Sequence, residues 1–389
     1  MPGSQPLTDA VPHATSPEST DVVALTSQLV AIPSVSRDSN CEVADVCTSH
    51  LAASGFEVEV IDADDRHGVT KRSLIAHRGD PNHAGFAYLG HTDVVPATDW
   101  TGPGSPFEPT LSGGRLYGRG SCDMKGSVAA MLTAAARSSH ETLWVVLTSD
   151  EESGFNGARA IRDRSRMYPV LRKSGSVAII GEPTLGRPVH GHKGGAIWKL
   201  AATGVQQHSS FGTEAAATLR LLPVLSTLQE IVALLQTDPF YRDGRFEPPG
   251  TTPNVRLLDA SPALNVTSSA AHAEIFLRTL PGVDLSPLRD RLAAAADAAG
   301  IDFETRESSA LFRDPESPFL RELQRLTGHP AATVCYGTDG CIFGDLKEIA
   351  VCGPGSIEQA HTTDEFITVE ELHAGVRLYE KLIERFAAK

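Results

Sequence analysis

The sequence has no excess of basic residues. Its 34 Lys and Arg residues are outnumbered by 48 Asp and Glu residues, which gives a formal net charge of −14 at pH 7. A chain this acidic repels phosphate backbones, so we do not expect it to bind nucleic acid. The apolar share of 41% and the charged share of 21% are ordinary for a soluble globular enzyme, and its length predicts two or three domains.

The sequence also lacks the segments that carry a chain into or across a membrane. No apolar run reaches membrane-spanning length, so no membrane partner is expected. Residues 1–20 have neither a basic start nor an apolar stretch, so no signal peptide is expected there. Their composition predicts a disordered N-terminal tail.

The cysteines lack the spacing of a zinc site or of a disulfide framework. They are Cys41, Cys47, Cys122, Cys335, Cys341 and Cys352. Because no two of them form a C-x-x-C pair, we expect reduced thiols in a cytoplasmic protein.

Short apolar runs alternate with helical spacing in both outer parts of the chain. Strands are predicted at Phe56 to Ile61, Ser73 to Ala76, Gly85 to Leu89, Leu143 to Thr148, Val177 to Ile180 and Ile349 to Cys352. Helices are predicted from Asp21 to before Pro33, from Glu42 to Ser54 and from Met124 to Arg137. This alternation predicts an α/β catalytic domain, residues 21–193 and 310–389, with a mainly parallel sheet flanked by helices.

The stretch between these two parts, residues 194–309, has a different order of elements. We predict a strand from Ala196 to Thr203, a helix from Glu214 to Leu235, strands from Asn254 to Asp259 and Leu264 to Leu280, a helix from Asp284 to Ala299 and a strand from Asp302 to Glu307. The order β-α-β-β-α-β is typical of a ferredoxin-like α+β domain. We expect this domain to be inserted into the α/β domain.

Five short motifs contain residue types that bind metal ions. They hold His91 in Gly-His-Thr-Asp, Asp123 in Gly-Ser-Cys-Asp-Met-Lys-Gly, Glu151 and Glu152 in Asp-Glu-Glu, Glu182 in Gly-Glu-Pro-Thr, and His361 in Gln-Ala-His-Thr-Thr. Imidazole and carboxylate donors suit zinc or a similar divalent ion, and two ions sharing a carboxylate would activate water. Three motifs follow predicted strands, where open α/β sheets carry their sites. The sequence therefore indicates a metal-dependent hydrolase.

Each motif taken singly has an ordinary structural explanation. His91 could belong to a surface turn, and Asp123 could be the N-cap of a helix. The acidic residues after Leu147 could form a solvated turn, and Glu182 and His361 could be solvated loop residues. Such separate explanations do not account for the occurrence of all five motifs, in this order, in one chain.

In order and wording, the motifs resemble those of the acetylornithine deacetylase and succinyl-diaminopimelate desuccinylase family, which also contains aminoacylases and the glutamate carboxypeptidase. The resemblance runs from about Asp21 to the end of the chain. It rests on Gly-His-Thr-Asp-Val-Val-Pro, Gly-Arg-Gly-Ser-Cys-Asp-Met-Lys-Gly, Asp-Glu-Glu, Gly-Glu-Pro-Thr and Gly-Pro-Gly-Ser-Ile-Glu-Gln-Ala-His. It implies a dinuclear zinc amidohydrolase whose inserted domain serves as a lid and as a dimerisation domain.

The resemblance also implies a role for each matching ligand. Asp123 would bridge two zinc ions, for which cobalt and manganese are alternatives. His91 and Glu182 would complete the shell of one ion. Glu152 and His361 would complete the shell of the other.

Two residues near these ligands would act without binding metal. By the same resemblance, Asp93 would orient the ring of His91. Glu151 would be the general base that takes a proton from water and passes it to the leaving amine. The resemblance further implies a cis peptide bond after Asp123.

The inserted domain would contribute three more residues. By resemblance, His208 would reach the site of the partner subunit in a homodimer and stabilise the developing oxyanion. Asn265 and Arg278 would bind the backbone and the carboxylate of the substrate. The family usually has glycine before this histidine, and here Gln207 takes its place. The alternative for His208 is an ordinary surface histidine, and the alternative for Arg278 is a solvated arginine on a strand.

Within the family, the motifs are most similar to those of the acetylornithine deacetylases. This implies removal of the acetyl group from N2-acetyl-L-ornithine, a step of arginine biosynthesis. Succinyl-diaminopimelate desuccinylase, aminoacylase and dipeptidase activities are alternatives, and a non-catalytic binding protein on the same fold is a remote one. Asp339 is expected either to cap a helix or to recognise the distal amine of a substrate.

Overall fold

The helices and strands predicted from the sequence are present, with ends shifted by a few residues, and the structure contains further helices and strands that were not predicted. The structure, a computed structural model, describes residues 21–387, so the tail expected over residues 1–20 lies outside the described residues. The helices are α1 (Val22–Val30), α2 (Cys41–Ala53), α3 (Gly126–Arg137), α4 (Asn156–Arg164), α5 (Tyr168–Ser174), α6 (Ala217–Thr237), α7 (Ser286–Ala298), α8 (Pro318–Thr327) and α9 (Val369–Phe386).

The strands fall into three sheets. They are β1 (Glu57–Asp64), β2 (Thr70–Arg78), β3 (Phe86–His91), β4 (Thr110–Ser112), β5 (Arg115–Tyr117), β6 (Leu143–Thr148), β7 (Val177–Pro183), β8 (Val189–His192), β9 (Gly194–Thr203), β10 (Thr252–Asp259), β11 (Ala270–Thr279), β12 (Asp302–Ser308), β13 (Leu311–Phe312), β14 (Ala332–Val334), β15 (Glu348–Gly353) and β16 (Phe366–Thr368). A small sheet of β16, β5 and β4 packs at the side.

The main sheet has nine strands and carries the catalytic body. Its order is β1-β2-β6-β3-β7-β15-β8-β13, with β14 paired to β8. The four central strands β6, β3, β7 and β15 are parallel, whereas β1, β2 and β13 pair antiparallel with their neighbours. The sheet is therefore mixed, and the parallel arrangement expected from the sequence is found at its centre.

Helices cover both faces of the main sheet, as the α/β pattern predicts. Apolar side chains of α1, α2, α3, α8 and α9 form one core with the sheet, and those of α4 and α5 form a second core on the opposite face. Strands β3 and β6 are buried along their whole length, and β7 and β15 are buried after their first residue. All six cysteines lie in the described part of the chain and are free thiols.

The inserted part folds around its own sheet, with the predicted β-α-β-β-α-β order. Its sheet has the order β10-β11-β9-β12, with every neighbouring pair antiparallel. Helices α6 and α7 pack against it and supply a separate apolar core. The strand expected over Leu264 to Leu280 is shorter, because the backbone around Thr267 bonds to Gln207 in a neighbouring loop before the ladder begins.

Helix α6 is long and apolar enough, by length and composition, to cross a membrane, although Arg220 and Glu230 interrupt its apolar sequence. One face of the helix lies in the core of the inserted part, where Leu228 and Ile231 are buried. The other face is exposed and includes Leu222. A core helix of a soluble protein can have the same length and apolar composition, so these features of α6 do not by themselves indicate a membrane span.

Candidate metal centre

The carboxyl ends of the central strands bring four of the predicted motifs together. His91 is the last residue of β3, Glu151 and Glu152 follow β6, and Glu182 lies near the end of β7. His361 lies in the loop after β15. Because these strands are parallel neighbours, their carboxyl ends meet at one edge of the sheet.

Two groups of ligand-type atoms form at this edge, and they share one residue. His91, Asp123 and Glu182 make one group, and Asp123, Glu152 and His361 make the other. Asp123 Oδ1 lies 3.1 Å from His91 Nε2, and Asp123 Oδ2 lies 3.4 Å from His361 Nε2. Glu182 is 3.6 Å from His91, and Glu152 is 2.9 Å from His361. The structure thus brings all five predicted ligands together, with Asp123 between the two groups.

The charge of these groups fits bound divalent cations. Burial raises the pKa of Glu182 well above its usual range, and the nearby carboxylate of Asp123 raises it further. Burial also raises the pKa of Glu152. Carboxylates crowded in a buried cleft repel one another, and a divalent cation in each group would offset this repulsion. The nitrogen and oxygen donors suit zinc or a similar ion.

The ring of His91 is oriented so that one nitrogen faces the ligand group. Its Nδ1 lies 2.9 Å from the backbone carbonyl of Asp93 and 3.7 Å from the carboxylate of the same residue. An N–H at Nδ1 leaves the lone pair of Nε2 free for metal. The carboxylate of Asp93 instead accepts hydrogen bonds from the Ser36 hydroxyl, at 2.6 Å, and from the Glu151 backbone N, at 3.1 Å.

Glu151 lies beside both groups without belonging to either. It is buried, and burial raises its pKa well above the usual range. The carboxylates of Glu182 and Glu152 raise the pKa further, whereas His91 opposes the rise. A carboxyl group with a raised pKa is suited to taking and returning a proton.

The loop that presents Asp123 has an unusual backbone. The Asp123–Met124 peptide bond is cis, as the resemblance implies. Residues Ser121–Lys125 form an irregular turn, so α3 begins at Gly126 rather than at Met124 as predicted. Gly120 has φ +83°, and a Cβ there would lie 2.5 Å from Val94 Cγ1, so this position favours glycine.

Glu365, which was not predicted as a functional residue, holds this loop in place. Its buried carboxylate accepts hydrogen bonds from the backbone N of Gly120, Cys122 and Asp123 at 2.9, 2.9 and 3.0 Å. Arg119 adds an ion pair of 2.7 Å. Its position in the sequence could have drawn attention to it, because Glu365 is the last residue of the motif His-Thr-Thr-Asp-Glu, which begins with the predicted ligand His361.

A pocket of about 350 Å³ opens beside the two ligand groups. Glu151 and ligand residues line one side of it. The remaining lining includes Arg159, Phe276, Arg278, Tyr336 and Ile357. The pocket therefore joins the metal-binding residues to a wall of cationic and apolar side chains.

Two of the predicted lid residues do not reach the pocket of their own chain. His208 and Asn265 are exposed and lie next to each other on lid loops, where the Ser209 N donates to the Asn265 carbonyl at 2.9 Å. His208 Nδ1 lies 2.7 Å from the Ser210 hydroxyl oxygen. Gln207 Nε2 donates to the carbonyl of Gly212 at 3.0 Å and so braces the same loop.

Asp339 is neither the helix cap nor an amine-binding residue of the pocket. The cap is Thr338, whose hydroxyl accepts from the backbone N of Gly340 at 3.0 Å. Asp339 is buried and accepts a hydrogen bond of 2.5 Å from Thr148 at the end of β6. It therefore packs beneath the site, and it is absent from the pocket lining within residues 21–387.

A larger cavity, of about 830 Å³, lies on the other side of the turn that follows Glu152. It contains none of the predicted ligands among its described lining residues. Its buried charges, Lys71 and Asp150, pair with each other at 3.4 Å. The smaller pocket, beside Glu151, is the candidate for chemistry.

Comparisons with known proteins agree with this geometry. An acetylornithine deacetylase of Myxococcus xanthus is 32% identical over 361 residues, which cover 89% of this chain and 92% of the relative. An M20 family metallo-carboxypeptidase from Sulfolobus solfataricus has the same fold, with a TM-score of 0.72 and 16% identity over 94% of this chain and 98% of that one.

A Bacillus subtilis protein described as a dinuclear metal binding peptidase from the M20 family also shares the fold, with a TM-score of 0.60 and 15% identity. The two chains match over 93% of this chain and 96% of that one. The model of peptidase family M20/M25/M40 matches residues 87–385, which is well over half of the chain. The protein is therefore a metal-dependent amidohydrolase, and the chain belongs to peptidase family M20/M25/M40.

Proposed function

We propose that the protein hydrolyses N2-acetyl-L-ornithine to L-ornithine and acetate. The observation that carries this proposal is the arrangement of two ligand groups around Asp123, with Glu151 beside them in a pocket that also contains Arg278. The acetylornithine deacetylase relative, which aligns along nearly the whole chain, supports the choice of substrate. By this proposal the enzyme acts in arginine biosynthesis and in the cytoplasm.

We propose two zinc ions per chain, with cobalt or manganese as alternatives. Asp123 would bridge them, His91 and Glu182 would bind one, and Glu152 and His361 would bind the other. When bound, such ions polarise the amide carbonyl and make hydroxide available near neutral pH. Their ligands come from two strands, β3 and β7, and from three other segments of the chain, so metal binding would also tie these segments together.

Glu151 would take a proton from the attacking water at its carboxylate. The same carboxyl group would then donate this proton to the nitrogen of ornithine as the amide bond breaks. One water is thereby divided between the two products, with oxygen and one hydrogen in acetic acid and the other hydrogen on the amine. The hydrogen bond from the Glu151 backbone to Asp93 would keep the base facing the pocket.

The inserted part, residues 194–309, would be the lid and the dimerisation domain. Because His208 and Asn265 are exposed and are not among the described residues that line their own pocket, we propose that they serve the site of a partner subunit. The exposed apolar side chains of this part, among them Leu222 and Leu257, would contribute to the contact between subunits. Arg278 would bind the carboxylate of the substrate within its own chain.

A substrate panel tests the proposal. Zinc-loaded protein is assayed with N2-acetyl-L-ornithine, N-succinyl-diaminopimelate, N-acetyl-L-methionine and a dipeptide, with chelator-treated protein as the control. We expect the highest kcat/KM for acetylornithine and no turnover without metal. A higher kcat/KM for another panel member would reassign the substrate, and binding without hydrolysis of any member would indicate a non-catalytic protein.

A further inference from the structure

Two guanidinium groups in the pocket wall have no hydrogen-bond or ion-pair partner among the described residues. Arg159 lies on α4 of the catalytic body, and Arg278 lies on β11 of the inserted part. Both are half-buried and line the pocket beside Glu151. Within residues 21–387, neither guanidinium forms a hydrogen bond or an ion pair, although Arg278 lies over the Phe276 ring at 4.7 Å.

A half-buried cation without an ion-pair partner is unfavourable, because it has lost part of its hydration, unless a bound anion neutralises it. Burial lowers the pKa of Arg159, and the neighbouring cations Arg306 and Arg162 lower it further. Burial also lowers the pKa of Arg278. Both groups thus have reduced hydration. Within residues 21–387 neither forms an ion pair, although Asp163 acts on Arg159 and Glu151 acts on Arg278 from a longer distance. This arrangement favours the binding of an anion from solution.

Two other charged residues of the pocket lining, Arg306 and Glu307, have contacts within the chain. Arg306 donates to the carbonyl of Gly154 at 2.8 Å and to the side chain of Asn156 at 2.6 Å. Glu307 forms an ion pair with Arg289 at 3.5 Å. Arg306 is exposed and, among the described residues, bonds only to neutral oxygens. Arg159 and Arg278 are the half-buried cations of the pocket lining.

We infer that Arg159 is a specificity-determining residue that binds the substrate's carboxylate together with Arg278. This inference rests on the proposed function, because it concerns the carboxylate of an acylated amino acid in the same pocket. Arg278 belongs to the lid and Arg159 to the catalytic body, so one carboxylate would be bound by both parts of the chain. A planar guanidinium offers two parallel N–H donors, a geometry that a carboxylate matches.

The test compares an acid with its amide. N2-acetyl-L-ornithine carries the carboxylate, and N2-acetyl-L-ornithinamide replaces it with a neutral group of similar size. For Arg159→Met we expect kcat/KM on the acid to fall roughly 10- to 100-fold, mainly through KM, because a hydrogen bond to a charged group is lost. The rate on the amide should stay unchanged, so the preference for the acid shrinks by the same factor.

The matched control is Arg162→Met, on the exposed side of the same helix, which should leave both rates unchanged. Arg159→Lys retains the charge and most of the aliphatic stem, so it should retain part of the preference for the acid over the amide. This variant replaces Arg159→Met in the test if the methionine variant does not fold. Equal losses on acid and amide in both Arg159 variants would overturn the inference, because a purely structural role predicts them. An unchanged acid preference would overturn it as well.

The proposed function can fail independently of this inference. If wild-type protein does not hydrolyse acetylornithine, the proposed substrate is wrong, and the acid and amide forms of the panel member that it does hydrolyse are then compared. Loss of the acid preference in Arg159→Met would still support carboxylate binding by Arg159.

Discussion

The carboxylate of Glu365 accepts a hydrogen bond of 3.0 Å from the backbone N of Asp123, the residue shared by both ligand groups. The same carboxylate also binds the backbone of Gly120 and Cys122 and the guanidinium of Arg119. Glu365 follows His361 by four residues, so one short segment supplies a ligand-type side chain and also fixes the loop of another. The position of Asp123 therefore depends on the C-terminal part of the chain.

Glu365→Gln should weaken metal binding while leaving the ligand residues intact. The amide would place N–H donors against backbone N–H donors and would lose the ion pair with Arg119. Residues that orient metal ligands typically contribute 10- to 100-fold in affinity, so we expect a loss of about that size. Competition with a chelator measures it. Asp364→Asn changes the same charge at the exposed neighbouring position and should have no effect.

Metal stoichiometry should distinguish the shared residue from the others. Asp123→Asn removes a charged donor from both groups, so we expect both ions to be lost. Glu182→Gln affects one group, so about one ion per chain should remain after dialysis, as measured by elemental analysis. Equal stoichiometry in the two variants would contradict the bridging role of Asp123.

The centre of the main sheet and the clustering of the five ligand-type residues could be predicted because both leave local signals. Apolar runs mark the buried central strands, and three of the five motifs directly follow such runs. Together the five motifs contain all the residues of the two groups. The direction of the outer strands depends on long-range pairing, so the antiparallel edges of the sheet were not visible in the local pattern. The turn Ser121–Lys125 interrupts a continuous helical pattern, and the sequence alone placed the helix start too early.

Contacts between distant segments account for what the sequence did not show. Glu365 acts on a loop more than two hundred positions earlier in the chain, and its place four residues after His361 does not identify that partner. Asp339 looked like a cap because it begins a short turn, but the neighbouring Thr338 accepts the capping bond. The side chain of Asp339 was therefore free to pack against Thr148 beneath the site.

Glu151→Gln should abolish most activity and retain both ions. Glu151 belongs to neither ligand group, so its amide leaves the donors unchanged while it removes the proton acceptor. General base catalysis contributes about 100- to 10,000-fold, and we expect kcat to fall by that much. Turnover and metal content are measured on the same preparation. Glu358→Gln, at an exposed position in the loop before His361, is the control, and full activity of Glu151→Gln would rule out the role of base.

Mixed dimers test whether His208 acts on the site of a partner. His208→Ala alone should lower kcat about 100- to 1000-fold, the usual effect of removing an oxyanion donor. Subunits with His208→Ala and subunits with Glu151→Gln are each nearly inactive, but a heterodimer of the two would contain one intact site. We expect activity to return on mixing. Verified heterodimers that stay inactive would place His208 outside the reaction.

Lys125 should make stability depend on pH. Its buried ammonium group donates to the carbonyls of Leu29 and Ile32 at 3.0 and 2.7 Å, and burial lowers its pKa from 10.5 to about 7. Between pH 7 and 10 the folded chain therefore holds this amine mainly neutral, whereas the unfolded chain holds it protonated. Unfolding takes up a proton in this range, so the free energy of unfolding should rise with pH.

Lys125→Met removes the titrating group and should remove this rise. The wild-type free energy of unfolding, relative to that of the variant, should increase by about 1 kcal/mol per pH unit above pH 7. Urea unfolding at pH 7, 8 and 9 in chelator measures this, since without metal no ligand protons are displaced by ions. Lys173→Met, at an exposed position, should follow the wild type. Parallel pH profiles for wild type and Lys125→Met would mean that Lys125 stays protonated in the folded chain.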